Sequence, residues 1–186
     1  EEAVQCDVTD GDKFLSLLRN VLTLEGVGCK DWLTNKVDRC VSGRVAQQQC
    51  VGPLQVPLAN FGAVLLDYSS PKAICTALGA APGAGLVSAE AGAILSVAES
   101  LTNLVFAPLE EGLKGVVLSA NWMWPAKRSG ENASLYRAVQ ACSEFAIELG
   151  IAIPTGKDSL SMTMKYRDGQ EVRSPGTVII TAVGVS

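Results

Sequence analysis

The chain has 186 residues, of which 48% are hydrophobic and 18% charged, and its formal net charge is −4. This length and composition indicate one globular domain, or one domain with a small appendage, and exclude an intrinsically disordered chain. The acidic balance, with no run of Lys or Arg and only 5% aromatic residues, argues against a nucleic-acid surface.

The first predicted element is an amphipathic helix over residues 12–25, where apolar side chains recur at spacings of three and four. Asp10 and Gly11 provide its start signal and Gly26 ends it. We expect residues 1–30 to form a lead-in helix and linker, and residues 31–186 to form the main domain. The N-terminus carries neither Met nor a signal-peptide pattern, which indicates a piece of a longer protein.

Short strands and loops are predicted to alternate in the next part of the chain. A short strand is expected over residues 36–41, a strongly apolar and buried strand over 61–68, and a weaker strand over 73–78. The amide-rich segment 43–53 and the small-residue segment 79–85 are predicted to be loops.

Two long helices dominate the second half, over residues 88–107 and 131–149. A strand over 115–120 lies between them and is broken by the segment that ends in Pro125. Two further strands, 160–166 and 177–185, are separated by a hairpin-turn signal centred on Asp168 and Gly169. This order of elements indicates a mixed α/β or α+β fold with a largely antiparallel sheet.

Cysteine usage and the absence of histidine narrow the possible chemistry. The six cysteines, at positions 6, 29, 40, 50, 75 and 142, include no CxxC pair. This pattern disfavours a zinc site or a disulfide framework and indicates reduced, mostly buried thiols in a cytoplasmic protein. Without histidine, no Ser–His or Cys–His nucleophile system can form within the chain. No apolar run of membrane-spanning length occurs, so we expect no membrane span.

An acid and an amide lie one turn apart on the first long helix. Glu99 and Asn103, at positions i and i+4, project from the same face, and the small residues Gly92 and Ser96 continue it. Such a face lets a ligand approach the backbone, and its oxygen atoms suit Mg²⁺. The alternative is a solvated helix face with an ordinary polar pair, and spacing alone favours that alternative.

A second candidate lies in the short polar segment 156–159, interpreted as a loop that opens into a strand. Lys157 can contact a phosphate, Asp158 can ligate Mg²⁺, and Ser159 can donate to a phosphate oxygen. The segment is not a Walker A loop, because its first glycine is missing and Asp follows Lys. The alternative is a turn before a strand.

Asn60, just before the strand predicted from Phe61, is either a third oxygen ligand or a turn residue.

The paired tryptophans Trp122 and Trp124 are the main aromatic feature. Such clusters belong more often to a core or an interface than to a substrate platform, and we expect the same here.

Five segments resemble one family, the phosphoribosylformylglycinamidine synthases, which are large multidomain amidotransferases of purine biosynthesis. The matches run in order over residues 12–186, and the strongest are QQQCVGPLQ at 47–55 and GKDSLSM at 156–162. The others are LTNKVDR at 33–39, ESLTN at 99–103 and SANWMW at 119–124. The resemblance implies the N-terminal subdomain of the second aminoimidazole ribonucleotide synthetase-like repeat. Such subdomains are α/β, with a four-stranded, mainly antiparallel sheet and helices on one face, and they pair into a barrel-like core.

The resemblance also implies an ATP-dependent ligase reaction, in which formylglycinamide ribonucleotide is activated by phosphorylation and ammonia from glutamine displaces the phosphate. Mg²⁺ and ATP or ADP are the implied cofactors. The implied site residues are Asn60, Glu99, Asn103 and Asp158 for Mg²⁺, and Ala59, Lys157, Ser159 and Ser161 for the nucleotide. Many members of the family have Asp at the position of Asn60. An amide oxygen can still ligate Mg²⁺, but it carries no charge.

The implied partners are the other synthetase-like repeat, the C-terminal subdomain and the glutaminase domain of a longer parent chain. Three functions remain open at this point. The chain is the metal and nucleotide half-site of the amidotransferase, a module that holds Mg²⁺ and ADP for structural reasons, or a pairing module that dimerises through an apolar sheet face without a ligand. The resemblance favours the ADP-holding role over the catalytic one.

Overall fold

The computed structural model describes residues 10–30, 43–48, 50–57 and 59–186. The chain divides into two compact units, residues 1–38 and 39–186. The strand predicted over 36–41 lies outside the described residues, and so does the LTNKVDR segment. The domain boundary expected after residue 30 stays a prediction.

The first unit contains the predicted amphipathic helix, α1, at Gly11–Leu22. Asp10 caps it, because Oδ1 of Asp10 accepts hydrogen bonds from the backbone N–H groups of Asp12 (3.0 Å) and Lys13 (3.2 Å). The sequence therefore predicted the helix and its start correctly. The helix ends at Leu22, earlier than expected, with Thr23 as its C-cap.

The second unit begins with three short strands and two longer ones: β1 (Val45–Gln47), β2 (Cys50–Val51), β3 (Val56–Pro57), β4 (Phe61–Leu65) and β5 (Ala73–Ala80). Helices α2 (Pro82–Val87) and α3 (Ala89–Leu104) follow, then a 3₁₀ turn at Gly112–Gly115 and strand β6 (Val117–Met123). The chain continues with α4 (Glu131–Leu149), β7 (Ala152–Ser159), the hairpin β8 (Thr163–Lys165) and β9 (Glu171–Arg173), and finally β10 (Thr177–Val185).

Within the described residues, six strands form one open sheet in the order β1-β4-β5-β10-β6-β7. Strands β6 and β7 are parallel, because α4 crosses over between them, and the other neighbouring pairs of this sheet are antiparallel. The mixed α/β, mainly antiparallel fold is confirmed. The expected four strands are wrong for this part of the chain, since β1 and β7 extend the central four at the two edges.

The core lies on one face of the sheet. Burial alternates along β5 and β10, so that Cys75, Ala77, Ile180 and Ala182 face the helices. Helix α3 packs on β5 and β10, and α4 packs on α3. In the part of the second unit that the structure describes, the opposite face of the sheet is uncovered, and Leu78 on that face is 58% exposed.

Several segments predicted as loops are strands or helix. Gly79 and Ala80 continue β5, because β10 pairs with them through Ile180 and Ile179. Residues 82–85, expected in a loop, form most of α2. The predicted apolar strand over 61–68 is shorter and less buried than expected, since β4 ends at Leu65 and Val64 is 40% exposed.

The segment 156–159 is also a strand and not a loop. It forms the end of β7, where Asp158 pairs with Trp122 of β6. Strand β6 therefore continues through Met123, beyond the predicted break. The strand predicted over 160–166 is reduced to β8 at Thr163–Lys165, and the predicted turn between β8 and β9 is confirmed, with Gly169 at φ +85°.

Candidate functional site

Glu99 and Asn103 lie side by side on α3 and both bind the end of β5. Oε2 of Glu99 accepts a hydrogen bond from the backbone N–H of Ala80 at 2.6 Å. Nδ2 of Asn103 donates to the backbone carbonyl of Leu78 at 2.8 Å. The pairing of β4 with β5 ends at Ala77, so these backbone groups lie beyond the last pair of that ladder. The two side chains therefore connect α3 to β5 and are not an ordinary polar pair on a solvated helix face.

The small residues on the same side of α3 are covered by protein. Ser96 is 1% exposed, and its hydroxyl accepts from the N–H of Ala81 at 3.1 Å and donates to the carbonyl of Gly92 at 2.8 Å. A Cβ at Gly92 would lie 2.6 Å from the Cα of Gly85. The expectation that Gly92 and Ser96 extend an open ligand face is therefore wrong, because α2 closes that part of the helix.

Asn60 and Ala59 precede β4, which is the neighbour of β5 in the sheet. Phe61, the next residue, pairs with Ala77 of β5. Asn60 is exposed and Ala59 half-buried. Their position at the start of β4 brings them to the sheet end where Glu99 and Asn103 contact Leu78 and Ala80.

Lys157, Asp158 and Ser159 lie elsewhere, on the edge strand β7. Three strand spacings of about 4.8 Å separate β7 from β5, or about 14 Å. Lys157 aligns with Asn121 on the uncovered face of the sheet, whereas Asp158 aligns with Trp122 on the helix face. Nζ of Lys157 donates to Oγ of Ser159 at 2.5 Å. The structure therefore does not bring these residues to Glu99 and Asn103.

Ser161 follows β7 in the connection to β8. Its backbone carbonyl accepts from the N–H of Thr163 at 2.8 Å. It lies at the same end of the edge strand as Ser159, so the eight predicted site residues fall into two groups.

One polar cluster was missed at the sequence level because its members are far apart in the chain. Arg128, before α4, and Arg173, at the end of β9, both pair with the carboxylate of Glu171. Arg173 also lines a polar cleft of about 300 Å³ beside Trp124 and Glu131. No local spacing pattern signals such a cluster.

Trp124 belongs to the core, as predicted for the tryptophan pair. It is 3% exposed, its indole N–H donates to Oε2 of Glu131 at 3.1 Å, and its ring lies 6.5 Å from that of Trp122. A Cβ at Gly176 would lie 2.3 Å from the Trp124 ring, so this glycine is required for the packing.

Of the four described cysteines, Cys29, Cys75 and Cys142 are free thiols, and Cys50 is buried. Burial raises the pKa of Cys75, and it raises the pKa of Cys142 to about 11. Cys29 is exposed, and Cys6 and Cys40 lie outside the described residues. In the described part of the chain, no helix is long and apolar enough to span a membrane.

Comparison with known proteins identifies the class of domain first by its fold. A solved PurLQS structure from Thermotoga maritima aligns with a TM-score of 0.54 at 15% identity, over 70% of this chain and 20% of that one. The T. maritima PurL structure complexed with ADP gives a TM-score of 0.52 at 15% identity, over 68% of this chain and 20% of that one. At these identities, the likeness establishes a shared α/β fold.

Sequence comparison then identifies the family. The model of the FGAR-AT PurM_N-like domain matches residues 29–185, and the chain belongs to this family. Phosphoribosylformylglycinamidine synthase from Homo sapiens is 50% identical over 168 residues, covering 90% of this chain and 12% of that protein. The Drosophila melanogaster synthase is 49% identical over 164 residues, covering 88% and 12%. The family resemblance is confirmed, and the chain spans about 12% of the length of these relatives.

Proposed function

We propose that this chain is a Mg²⁺- and nucleotide-binding subdomain of a cytoplasmic, ATP-dependent amidotransferase. The reaction proposed for the whole enzyme converts formylglycinamide ribonucleotide and glutamine to formylglycinamidine ribonucleotide. Family membership and the names of the synthase relatives support this assignment. The PurL structures complexed with ADP and with ATP support nucleotide binding.

The observation that carries the proposal is the contact of Glu99 and Asn103 with the end of β5. Their hydrogen bonds use Oε2 of Glu99 and Nδ2 of Asn103, which leaves Oε1 and Oδ1 as oxygen donors one helical turn apart. Asn60 adds a third oxygen at the start of the neighbouring strand. Mg²⁺ prefers oxygen ligands and is commonly held by one or two carboxylates together with substrate phosphates.

The donor set therefore fits a nucleotide-bound Mg²⁺ better than a free ion. Glu99 is its one carboxylate, and the two amides contribute no charge. When bound, Mg²⁺ would neutralise the nucleotide phosphates. Glu99 and Asn103 would orient this group, and the backbone at Ala59 would contact the nucleotide. We expect weak binding of Mg²⁺ alone and stronger binding of Mg²⁺ with ADP.

The edge-strand residues are proposed to act at a separate place. Lys157, Ser159 and Ser161 would contact nucleotide phosphates, and Asp158 would ligate a further Mg²⁺. Their distance from β5 means that these contacts do not complete the Glu99–Asn103 site within this chain. The other synthetase-like repeat, the C-terminal subdomain and the glutaminase domain are the proposed partners that complete the enzyme.

A second candidate function is supported by the uncovered sheet face. The strand registers and the alternation of side chains place five exposed apolar residues on this face. They are Val64 (40% exposed), Ile74 (38%), Leu78 (58%), Val117 (43%) and Val185 (42%). An exposed face with several large apolar side chains is typical of an interface. On this account the chain has no catalytic role of its own and is a pairing module, or a structural module in which bound ADP and Mg²⁺ hold subdomains together.

Glu99→Gln in a full-length synthase that carries this segment separates the two functions. In a catalytic site, the variant lowers turnover and weakens binding of the Mg²⁺–nucleotide complex while the melting temperature is preserved. In a structural site, it lowers the melting temperature and releases ADP, with turnover lost as a consequence. Glu144→Gln is the control, since Glu144 is exposed on α4 and hydrogen-bonds only to Gln140 on the same helix. Unchanged turnover, stability and ADP content would exclude both roles for Glu99.

A further inference from the structure

Three polar side chains of α3 bind consecutive parts of the β5 end. Asn103 donates to Leu78, Glu99 accepts from Ala80, and Ser96 accepts from Ala81. Ser96 is the buried member of this series, at 1% exposure, whereas Glu99 is exposed. These three hydrogen bonds hold the end of β5 and the residue after it against α3, at Leu78, Ala80 and Ala81.

The helix and strand are unusually close at this point because Gly79 lies between the bonded residues. A Cβ at Gly79 would lie 2.1 Å from the carbonyl oxygen of Ser96 and 2.4 Å from the backbone nitrogen of Ser100. The backbones are therefore in direct contact, and the position of Ala80 relative to Glu99 is set by the bonds on either side of it.

We infer that Ser96 is a positioning residue for the Glu99 carboxylate. Its hydroxyl holds the N–H of Ala81, the neighbour of the Ala80 N–H that orients Oε2 of Glu99. Fixing that backbone would hold the carboxylate of Glu99 in one orientation, with Oε2 on the Ala80 N–H and Oε1 left for a ligand. Groups that orient a metal ligand without touching the metal commonly change affinity by 10- to 100-fold when removed. The inference rests on the proposed Mg²⁺–nucleotide function of Glu99 and adds a residue to it.

The chain supplies a matched control on the same helix. Ser100 is 0% exposed, and its hydroxyl donates to the carbonyl of Val97 at 2.8 Å, within α3. Ser96→Ala and Ser100→Ala therefore remove the same atom at the same burial, but the first alone removes a bond to the β5–α2 connection. A change in affinity that comes only from losing a buried hydroxyl or from a less stable helix should appear in both variants.

The test measures the affinity for ADP with Mg²⁺ by calorimetry in the unaltered chain, Ser96→Ala, Ser100→Ala and Glu99→Gln, together with each melting temperature. We expect Ser96→Ala to weaken binding about tenfold, and Ser100→Ala to change it less than twofold. If Glu99→Gln weakens binding but Ser96→Ala and Ser100→Ala have the same affinity as each other, the role of Ser96 is overturned and the proposed function stands. If Glu99→Gln binds as tightly as the unaltered chain, the proposed function itself is overturned.

A second measurement needs no variant and covers the case in which Ser96→Ala does not fold. Amide hydrogen exchange at Ala80 and Ala81 is followed with and without ADP and Mg²⁺. If Ser96 and Glu99 act together, the ligand slows exchange at both amides by a similar factor. Slower exchange at Ala80 alone, or at neither amide, contradicts the inference.

Discussion

Asn103 and Leu78 are joined by a hydrogen bond of 2.8 Å from the side-chain amide to the backbone carbonyl, across 25 residues of sequence. The bond ties the last turns of α3 to the end of β5, beyond the point where β4 supplies pairing. Asn103, which its spacing from Glu99 predicts as a metal ligand, therefore also stabilises the fold. The ligand role and the structural role can be tested separately.

Asn103→Asp tests the structural role. The substitution removes the donor of an exposed hydrogen bond and places a carboxylate next to the Leu78 carbonyl, so we expect the free energy of unfolding to fall by about 0.5–1.5 kcal/mol. Urea unfolding measures it. Asn132→Asp is the control, because Oδ1 of Asn132 accepts from Ala133 in the first turn of α4, where a carboxylate can do the same. Equal stabilities of the two variants would contradict the role assigned to Asn103.

Gly79→Ala tests the close approach of α3 to β5. Its Cβ would overlap the Ser96 carbonyl at 2.1 Å, so strand and helix must separate, and overpacking of this kind costs about 1–3 kcal/mol or more. Gly83→Ala is the matched control, since a Cβ there meets no atom within 4 Å. Thermal unfolding should show a large loss for the first variant and none for the second. A loss of similar size in both would contradict the assignment of the cost to contact with α3, because a Cβ at Gly83 makes no such contact.

The thiol of Cys142 should be protected from alkylation. Burial raises its pKa to about 11, so its thiolate is scarce at pH 8–10, whereas Cys29 is exposed. Peptide mass spectrometry after timed iodoacetamide treatment should show rapid modification at Cys29 and slow modification at Cys142. Similar rates at the two positions would contradict the buried placement.

The same shift gives a pH dependence of stability. The Cys142 thiol loses its proton near pH 8.5 in an unfolded chain but only near pH 11 in the folded one. The folded state thus binds the proton more tightly, and the free energy of unfolding falls as the pH rises through this interval. In Cys142→Ala that decline should be smaller. An identical decline in the variant would assign it to other groups.

The uncovered sheet face should mediate association of the chain with itself. Val117→Glu places a charge on that face, where Val117 is 43% exposed, and should shift sedimentation toward monomer. Leu95→Glu is the control, because Leu95 is 48% exposed on α3, on the other side of the sheet. A monomeric unaltered chain, or dissociation by both variants, would contradict an interface on this face.

The helices and the mixed fold were predictable because their signals are local. The apolar periodicity of α3 and α4, and the Asp10 cap of α1, are contained within a few turns of sequence. The same spacing rule correctly placed Glu99 and Asn103 on one face of α3. Their bonds to β5 could not be predicted, since they depend on which strand packs beneath that helix.

The errors in the strands share one physical cause, namely that strand pairing overrides local composition. Segment 156–159 reads as a loop because its polar residues show no burial alternation, yet β6 holds it as an edge strand exposed on both faces. Gly79 and Ala80 read as a loop because they are small, but β10 pairs with them. Long-range pairing also set the number of strands, which the family resemblance understated.

The measurement that tests the central proposal most directly is calorimetric titration of the chain with ADP, with and without Mg²⁺, for the unaltered protein and its Glu99→Gln and Glu144→Gln variants. The account predicts Mg²⁺-dependent binding that is lost in Glu99→Gln and retained in Glu144→Gln, which carries the same loss of charge. Binding that is indifferent to Mg²⁺, or that survives unchanged in Glu99→Gln, would contradict a Mg²⁺–nucleotide site at the end of β5.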